Sequence, residues 1–428
     1  MVEEAMKTPS ILLLSSAIVS LAHGYELHEW GTFTTVSGSD GVLLSGLQRE
    51  EEALPPFVHA HFGLENGQGT SPEKWRELIA RHGAPWTRPD TYGGKGLGQR
   101  PVSGVTVKME TPVIYFHSDK GFRANVTVGF NGGTISQWYP DRTDGDVLPE
   151  PPPSENPKTD PTPSEKWRIN FAEGYTGAIS WDIDVLSPKE TARTLLFKPR
   201  ESIHWMRARV NEANAVRTPT GETEGYLFYR GIGNFQPGLH TSVSADETLH
   251  IHNLTGGDIP YLLVLERSTG VTSWRANNDG LGNDQEVSID PSSMQMEGSE
   301  FPAAIYHSLR NGLTRSGLLE SEADAMIQTW WTSYFESDGL RVFWILPAST
   351  TENILPLTVT PPPRRTVRVI VGRSEVLRPR QEAEWLAESK LGGDEAARWK
   401  YIKDQHRFGL AIAERVSTLR TTAAVAPE

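Results

Sequence analysis

Apolar and polar residues alternate along much of this chain, and a period of two is the side-chain period of a β-strand. The alternation appears first at residues 26–36, 105–117, 122–130 and 134–139. Pro112 interrupts the second of these segments, which predicts a bulge or an edge, and Asn131-Gly132-Gly133 predicts a hairpin between the last two. Further strands are predicted at 167–171, 178–186, 203–210, 225–230, 239–244, 248–253, 260–267 and 271–275.

Helical periodicity becomes dominant only late in the chain. It predicts helices at about 300–315 and 318–336, then strands at 340–346, 354–359 and 366–372, and a charged, Ala-rich helical tail from about residue 380. A capping box formed by Thr70 and Glu73 predicts one earlier helix over 70–83. Short strands at this spacing are typical of antiparallel sandwich sheets. The predicted fold is therefore mainly β, with antiparallel β-sandwich sheets and a helical, α+β C-terminal region.

The N-terminus has the features of an export signal. Residues 11–22 are an apolar run preceded by Lys7, too short to span a membrane as a mature helix. Cleavage after Ala22 would make His23 the first residue, whereas cleavage after Gly24 would begin the chain at Tyr25. We therefore expect a periplasmic or extracellular protein with no membrane span in the mature chain.

The pattern divides the chain into regions of different composition. These are a signal peptide (1–22), an N-terminal β region (23–146), a Pro-rich linker or loop (147–165), an antiparallel β region (166–298) and an α+β C-terminal region with a helical tail (299–428). The Pro-rich segment is predicted to be extended and exposed, because proline cannot donate a ladder hydrogen bond.

Composition excludes several kinds of function. The 428 residues carry a net charge of −13, which leaves no basic surplus for nucleic acid or an anionic membrane surface. The chain contains no Cys, so it has no disulfide, no thiolate metal site and no cysteine nucleophile. Neither a Gly-x-Ser-x-Gly elbow nor a His-Glu-x-x-His motif is present.

The stretch LHEWGTF, residues 27–33, places ionisable side chains on both faces of one predicted strand. His28 shares a face with Trp30, and Glu29 lies on the other face, so a covered strand would bury at least one of the two. A buried carboxylate requires a partner or a proton. Arg230, at the end of an aromatic strand face, is the predicted partner of Glu29, and Glu110 is a second candidate inward-facing carboxylate.

Two interpretations of these residues stay open. In the first, they form an ion pair or hydrogen-bonded histidine that fixes the strand register. In the second, His28, Glu29, Arg230 and Glu110 are catalytic or ligand residues.

Histidine spacing suggests metal ligands elsewhere. His59 and His61 form a His-x-His pair, as do His250 and His252, and both members of such a pair share one face of a strand. The second pair is better explained as a solvated strand face. If cleavage follows Ala22, His23 would offer its amine and imidazole to copper. His59, His61 and His23 are therefore candidate ligands for copper or zinc, and whether the protein uses a metal cofactor stays open.

Several stretches resemble a group of secreted bacterial proteins of unassigned activity that share an HEWGTFT motif just after the signal peptide. The matching stretches are HEWGTFT (28–34), KMETPVIYF (108–116), GYLFYRGIGNF (225–235), ILPLTVTP (354–361) and VRVIVGRSEVL (367–377). The resemblance implies export and supplies no activity. It favours the candidate catalytic residues over His250 and His252, which lie outside the motifs.

Two functions remain open at this point. The first is binding of an extracellular glycan or an envelope component by a β-sandwich with aromatic surface patches. The second is an extracellular enzyme that acts on glycans or polymers, either without a metal or with zinc or with copper held by His23.

Overall fold

A computed structural model describes residues 23–49, 54–55, 57–61, 63–64, 95, 97, 102–148, 168–195, 204–268, 271–297, 301–390 and 407–425. The predicted signal peptide, the predicted helix at 70–83 and most of the Pro-rich segment 147–165 lie outside these residues.

Strands make up most of the regular structure. In chain order they are β1 His23–Ser37, β2 His59–Ala60, β3 Gly63–Leu64, β4 Val102–Ser103, β5 Val107–Met109, β6 Val113–His117, β7 Phe122–Asn131, β8 Gly133–Tyr139, β9 Asp144–Gly145, β10 Ile169–Asn170, β11 Thr176–Val185, β12 Val216–Arg217, β13 Thr223–Glu224, β14 Leu227–Gly233, β15 Leu239–Val243, β16 Leu249–Asn253, β17 Leu262–Ser268, β18 Val271–Asn277, β19 Glu286–Ile289, β20 Gln295–Glu297, β21 Gly339–Ile345, β22 Leu357–Thr360 and β23 Pro363–Val376.

The described helices lie mainly in the C-terminal part of the chain. They are α1 Pro188–Thr194, α2 Phe301–Arg315, α3 Glu320–Phe335, α4 Ala348–Ile354, α5 Pro379–Ser389 and α6 Gly409–Val425, with short 3-10 helices at Phe171–Glu173, His204–Ala208 and Pro291–Ser293. Within the described residues, no helix is both long enough and apolar enough to cross a membrane.

A 12-stranded sheet forms the centre of the molecule, with the order β20-β18-β17-β21-β23-β1-β5-β14-β8-β2-β3, and β6 pairs with β1 and β14. A 6-stranded sheet contains β13, β12, β11, β7, β22 and β9, and a 3-stranded sheet contains β15, β16 and β19. Strands β1 and β23, near opposite ends of the chain, lie side by side in parallel.

Both faces of β1 are covered by apolar residues. On one face, Leu27 and Phe33 belong to a buried cluster with Val126 of β7 and Ile251 of β16; we call this cluster the inter-sheet core. On the other face, Trp30 packs in a cluster with residues of α2 and α3, which we call the helix-side core. The central sheet is therefore sandwiched between other sheets and helices.

Gly31 allows β1 to pass the proline that separates β5 from β6. A Cβ atom on Gly31 would lie 2.9 Å from the Cα of Pro112, too close for any larger residue. The predicted interruption at Pro112 is thus confirmed, and it explains the glycine within the HEWGTF stretch.

The predicted fold class is confirmed: the described structure is mainly β, with several antiparallel sheets and helices toward the C-terminus. The strand predicted at 203–210 is wrong, since His204–Ala208 forms a 3-10 helix. The Tyr115 hydroxyl donates a hydrogen bond to the carbonyl of Ala208, at the end of this 3-10 helix, at 2.6 Å. The parallel β1–β23 pair was not predicted, because it joins segments far apart in the sequence.

Candidate metal centre

Glu29 is buried on the inter-sheet face of β1, and the prediction that it is inward-facing and paired is confirmed. Its carboxylate accepts hydrogen bonds from Arg368 Nε and from the Tyr229 hydroxyl, both at 2.6 Å. The predicted partner is wrong: Tyr229, and not Arg230, shares the face of Glu29. The parallel register sets Glu29 beside Arg368, which also lies 2.9 Å from Glu352. Burial opposes the charged form of Arg368, but the nearby charge of Glu29 raises the pKa of Arg368.

His28 is buried on the opposite, helix-covered face, where it meets a carboxylate. Its Nδ1 lies 2.9 Å from Oε2 of Glu322, and Nε2 of His117 lies 2.9 Å from Oε1 of the same residue. The two imidazole rings are 4.6 Å apart between centroids. One buried carboxylate is therefore shared by two histidines.

The register of the central sheet brings these residues together. In the antiparallel β1–β6 pair, Glu26 lies opposite His117 and His28 lies opposite Tyr115. His28 and His117 are consequently diagonal neighbours on one face, within reach of each other's side chains. Helix α3 begins directly above them.

Glu322 is held by the first turn of α3. Its Oε2 accepts a hydrogen bond from the backbone N–H of Leu319 at 2.8 Å, as the third residue of a helix does in a capping box. The positive end of the helix dipole also favours a negative charge at this position. Burial alone would raise the pKa of Glu322, but hydrogen bonds from His117, His28 and Leu319 lower it to about 2.

Both ring nitrogens of His117 face acceptors. Nε2 faces the Glu322 carboxylate, and Nδ1 lies 3.1 Å from the backbone carbonyl of Glu212. A neutral imidazole carries only one N–H, so both hydrogen bonds are made only by the imidazolium. Burial opposes this charge, but the hydrogen bond and charge of Glu322 outweigh it and raise the pKa of His117.

The second ring nitrogen of His28 also lies near a carboxylate. Its Nε2 is buried, forms no hydrogen bond with any described residue, and lies 3.5 Å from Oε2 of Glu26. Glu26 is also paired with Arg364, and its pKa is lowered chiefly by that hydrogen bond. Each histidine therefore presents one nitrogen to Glu322 and the other to an oxygen outside the cluster.

The donor set suits a divalent transition metal. One ligand atom from each of His28, His117 and Glu322 lies within 4.8 Å of the other two, and within the described part of the chain only this group meets that condition. Two histidines and a glutamate are a known ligand set for zinc, with the fourth position left to water. The donors fit, provided that a metal replaces the protons that now face the carboxylate.

Glu110 lies in a second buried polar cluster, and the buried Arg230 is close to it along the paired strands β5 and β14. Glu110 is 2.7 Å from Lys95 Nζ and 3.3 Å from Lys108 Nζ, and all three side chains are buried. Met109, the residue before Glu110, pairs with Gly231, the residue after Arg230. Nε of Arg230 donates to the side chain of Gln137, and burial lowers the pKa of Arg230 to about 9. The candidate catalytic residues are thus divided between two clusters and the inter-sheet core.

The histidines predicted as metal ligands from spacing do not converge in the structure. His59 Nε2 lies 2.9 Å from Glu222, and His61 Nε2 donates to the carbonyl of Ile135 at 2.8 Å. The side chain of His23 lies outside the described residues, so the predicted copper site stays a prediction. His250 and His252 flank the buried Ile251 on a partly exposed strand face, as expected for a pair that faces solvent.

Sequence reasoning missed His117 and Glu322. His117 ends the strand predicted at 105–117, and the pairing of that strand with β1 would have placed it near His28. Glu322 carried only a local signal, that of a carboxylate in the first turn of a predicted helix. Neither protein-family models nor curated proteins give a match to this chain, so its function is inferred below from the chemistry of the site.

Proposed function

We propose that this protein is an exported metal-binding protein that holds one divalent transition-metal ion, Zn²⁺ in preference to others, between His28, His117 and Glu322. The observation that supports the proposal is the convergence of two imidazoles and one carboxylate from β1, β6 and α3 on a common point. Such a set of nitrogen and oxygen donors suits zinc, and copper would compete for the same nitrogens.

The surroundings of the two histidines support a ligand role. Metal-bound histidines almost always donate their second N–H to a carbonyl or a carboxylate. His117 has this partner in the carbonyl of Glu212, and the carboxylate of Glu26 lies 3.5 Å from Nε2 of His28, in position to take the same role. With the metal bound through Nε2 of His117 and Nδ1 of His28, both outer contacts would be kept. Only the protons that face Glu322 would be displaced.

Solvent reaches the cluster from one side. The side chain of His117 is 15% exposed, whereas those of His28 and Glu322 are 3% and 0% exposed. A metal and its water ligand would therefore enter beside His117. The ion would join α3 to the central sheet and would stabilise the fold by binding the native state alone.

The experiment is metal analysis of the purified mature protein. After removal of metal with a chelator and dialysis against zinc, we expect one zinc per chain in the parent. His117→Ala and Glu322→Gln should each lose it. Glu26→Gln should weaken zinc binding by roughly 10–100-fold, the usual effect of losing an outer partner.

His252→Gln is the matched control, since it removes a histidine that also faces a carboxylate, Asp284 at 3.0 Å, on a partly exposed strand. It should keep full zinc content. His117 is the most exposed of the three ligands, so its replacement puts the fold least at risk. Unchanged zinc content in folded His117→Ala and Glu322→Gln would overturn the proposal.

A further inference from the structure

A surface groove with a volume of about 670 Å³ lies on the helix-covered side of the central sheet, between β18 and α2. This volume is within the range of ligand-binding pockets. Trp274 of β18 lies opposite Leu265, a residue of the helix-side core, so its ring projects toward α2 at the edge of that core. The groove therefore has an aromatic wall that is only partly buried.

The opposite wall is a polar stripe of α2. Ser308, Asn311 and Arg315 follow one another at intervals of three and four residues, which places them on one face of the helix. All three line the groove. A helix face that lies against a sheet edge is usually apolar, so a row of hydrogen-bonding groups facing a tryptophan favours a polar ligand between them.

The groove also has a distinct charge. Among the described residues, its lining includes Arg275 and Arg315 and no aspartate or glutamate, although acidic residues outnumber basic residues by 54 to 41 in the whole chain. Neither arginine forms an ion pair with a described residue. Arg315 is oriented by a hydrogen bond that it donates to the carbonyl of Asn278 at 2.5 Å. The groove is thus complementary to a negative charge.

Several of its polar side chains are available to a ligand. Across the described ranges, the side chains of Arg275, Asn278 and Asn311 form no hydrogen bond with the protein. A second groove on the other side of α2, of about 580 Å³, differs in this respect. There, Trp331 donates to Glu336 at 3.1 Å and Tyr306 donates to Asp324 at 2.8 Å.

We propose that the groove between β18 and α2 binds an acidic saccharide. A pyranose ring would stack on Trp274, its carboxylate would be received by Arg315, and its hydroxyl groups would bond to Asn278 and Asn311. An aromatic face beside fixed polar groups suits a sugar ring, which is apolar on its faces and polar at its rim. Arginine binds carboxylates bidentately. The proposal names an occupant for the glycan-binding function and does not depend on the metal centre.

Calorimetric titration of the purified mature protein tests this proposal. The probes are a trigalacturonate, the uncharged maltotriose and a triglutamate peptide. We expect trigalacturonate to bind and the other two to bind at least tenfold more weakly. Arg315→Gln should weaken trigalacturonate binding roughly tenfold or more, as expected for loss of a charge-assisted hydrogen bond.

Matched variants separate this groove from other surfaces. Arg123→Gln removes an exposed arginine of β7, and Trp331→Leu alters the second groove, so both should bind trigalacturonate as the parent does. Trp274→Leu should abolish binding. If that variant fails to fold, Asn311→Ala on the exposed helix face replaces it and should weaken binding.

Different failures point to different alternatives. Absence of trigalacturonate binding overturns the proposal, as does an equal loss in Arg123→Gln. Equal affinity for triglutamate would show recognition of charge alone, and equal affinity for maltotriose would show a neutral-sugar site; either result refutes acidic-saccharide recognition. Zinc content is measured on the same samples, so failure of this proposal is distinguishable from failure of the metal proposal.

Discussion

Removal of one partner of the buried pair of Glu29 and Arg368 should lower the free energy of unfolding by several kcal/mol. The side chain of Glu29 is 0% exposed and that of Arg368 is 4% exposed, and their charged atoms are 2.6 Å apart. Loss of one partner of such a pair leaves an uncompensated buried charge and costs about 3–5 kcal/mol. That is a large part of the roughly 5–15 kcal/mol by which a typical domain is stable.

The two single substitutions should differ in magnitude. After Glu29→Gln, Arg368 still has Glu352 at 2.9 Å, and the new side-chain amide can still accept a hydrogen bond from Tyr229, so we expect a loss near the lower limit, about 3 kcal/mol. After Arg368→Met, Glu29 retains only the Tyr229 hydroxyl, and the loss should approach about 5 kcal/mol. The double variant should lose less than the sum, with a coupling of about 1–3 kcal/mol.

Urea denaturation of the parent, the two single variants and the double variant gives the coupling directly. The exposed pair of Arg123 and Asp184, 3.6 Å apart on β7 and β11, is the matched control, and the corresponding cycle should show no coupling. A cycle of Glu29→Gln with Arg230→Met should be additive, because these residues face opposite sides of the sheet. Additive losses for Glu29 and Arg368 would refute the pairing.

Two further predictions concern the stability of the metal-free protein. Burial alone would raise the pKa of Glu322, but hydrogen bonds from His117 and His28 lower it from 4.5 to about 2. The stability that this carboxylate contributes is therefore present above pH 4.5 and is lost as the pH falls toward 2. Burial opposes the charge of His117, but the Glu322 carboxylate raises the pKa of His117 above 6.5. The stability that the His117 imidazolium contributes is therefore full below pH 6.5 and is lost as the pH rises through the folded-state pKa. Thermal melting should therefore be highest between pH 4.5 and 6.5, and a flat profile, or one unchanged in Glu322→Gln, would contradict this. Gly31→Ala should cost about 1–3 kcal/mol in urea denaturation, because its Cβ would lie 2.9 Å from the Cα of Pro112; a loss within error would mean that β1 shifts freely.

Local patterns were sufficient to predict most of the strands and helices. Period-two alternation predicted β1 and β7, and hydrophobic spacing predicted α2 and α3 to within a few residues. These elements follow from propensity and from which face is apolar, and both are present within short windows of sequence. The strand predicted at 203–210 is instead a 3-10 helix that receives a hydrogen bond from Tyr115, remote in sequence, and no local pattern reveals such a tertiary contact.

The partners of the site residues could not be predicted in the same way. Burial of Glu29 followed from its neighbours Leu27 and Phe33, but the choice of Arg368 over Arg230 depends on the parallel register of β1 and β23. Period two could show that Arg230 shares a face with Phe228, but not which side of the sheet that face would cover. Likewise, His28 meets Glu322 only because α3 docks its first turn over the end of β1.

The register of β1 also explains why two ionisable residues, His28 and Glu29, lie next to each other in one strand. A strand that slips by one residue exchanges its two faces. A slip of β1 in one direction would bring Glu29 against Glu322, and a slip in the other direction would bring His28 against Arg368 in place of Glu29. The first contact would set two carboxylates together in a buried setting, and the second would leave Arg368 without its carboxylate, whereas the native register sets Glu322 beside His28 and Glu29 beside Arg368. His28 and Glu29 therefore specify the register of β1 electrostatically, in addition to the apolar pattern. The register that places His28 beside Glu322 on the helix-covered face also buries the ion pair of Glu29 and Arg368 between the sheets.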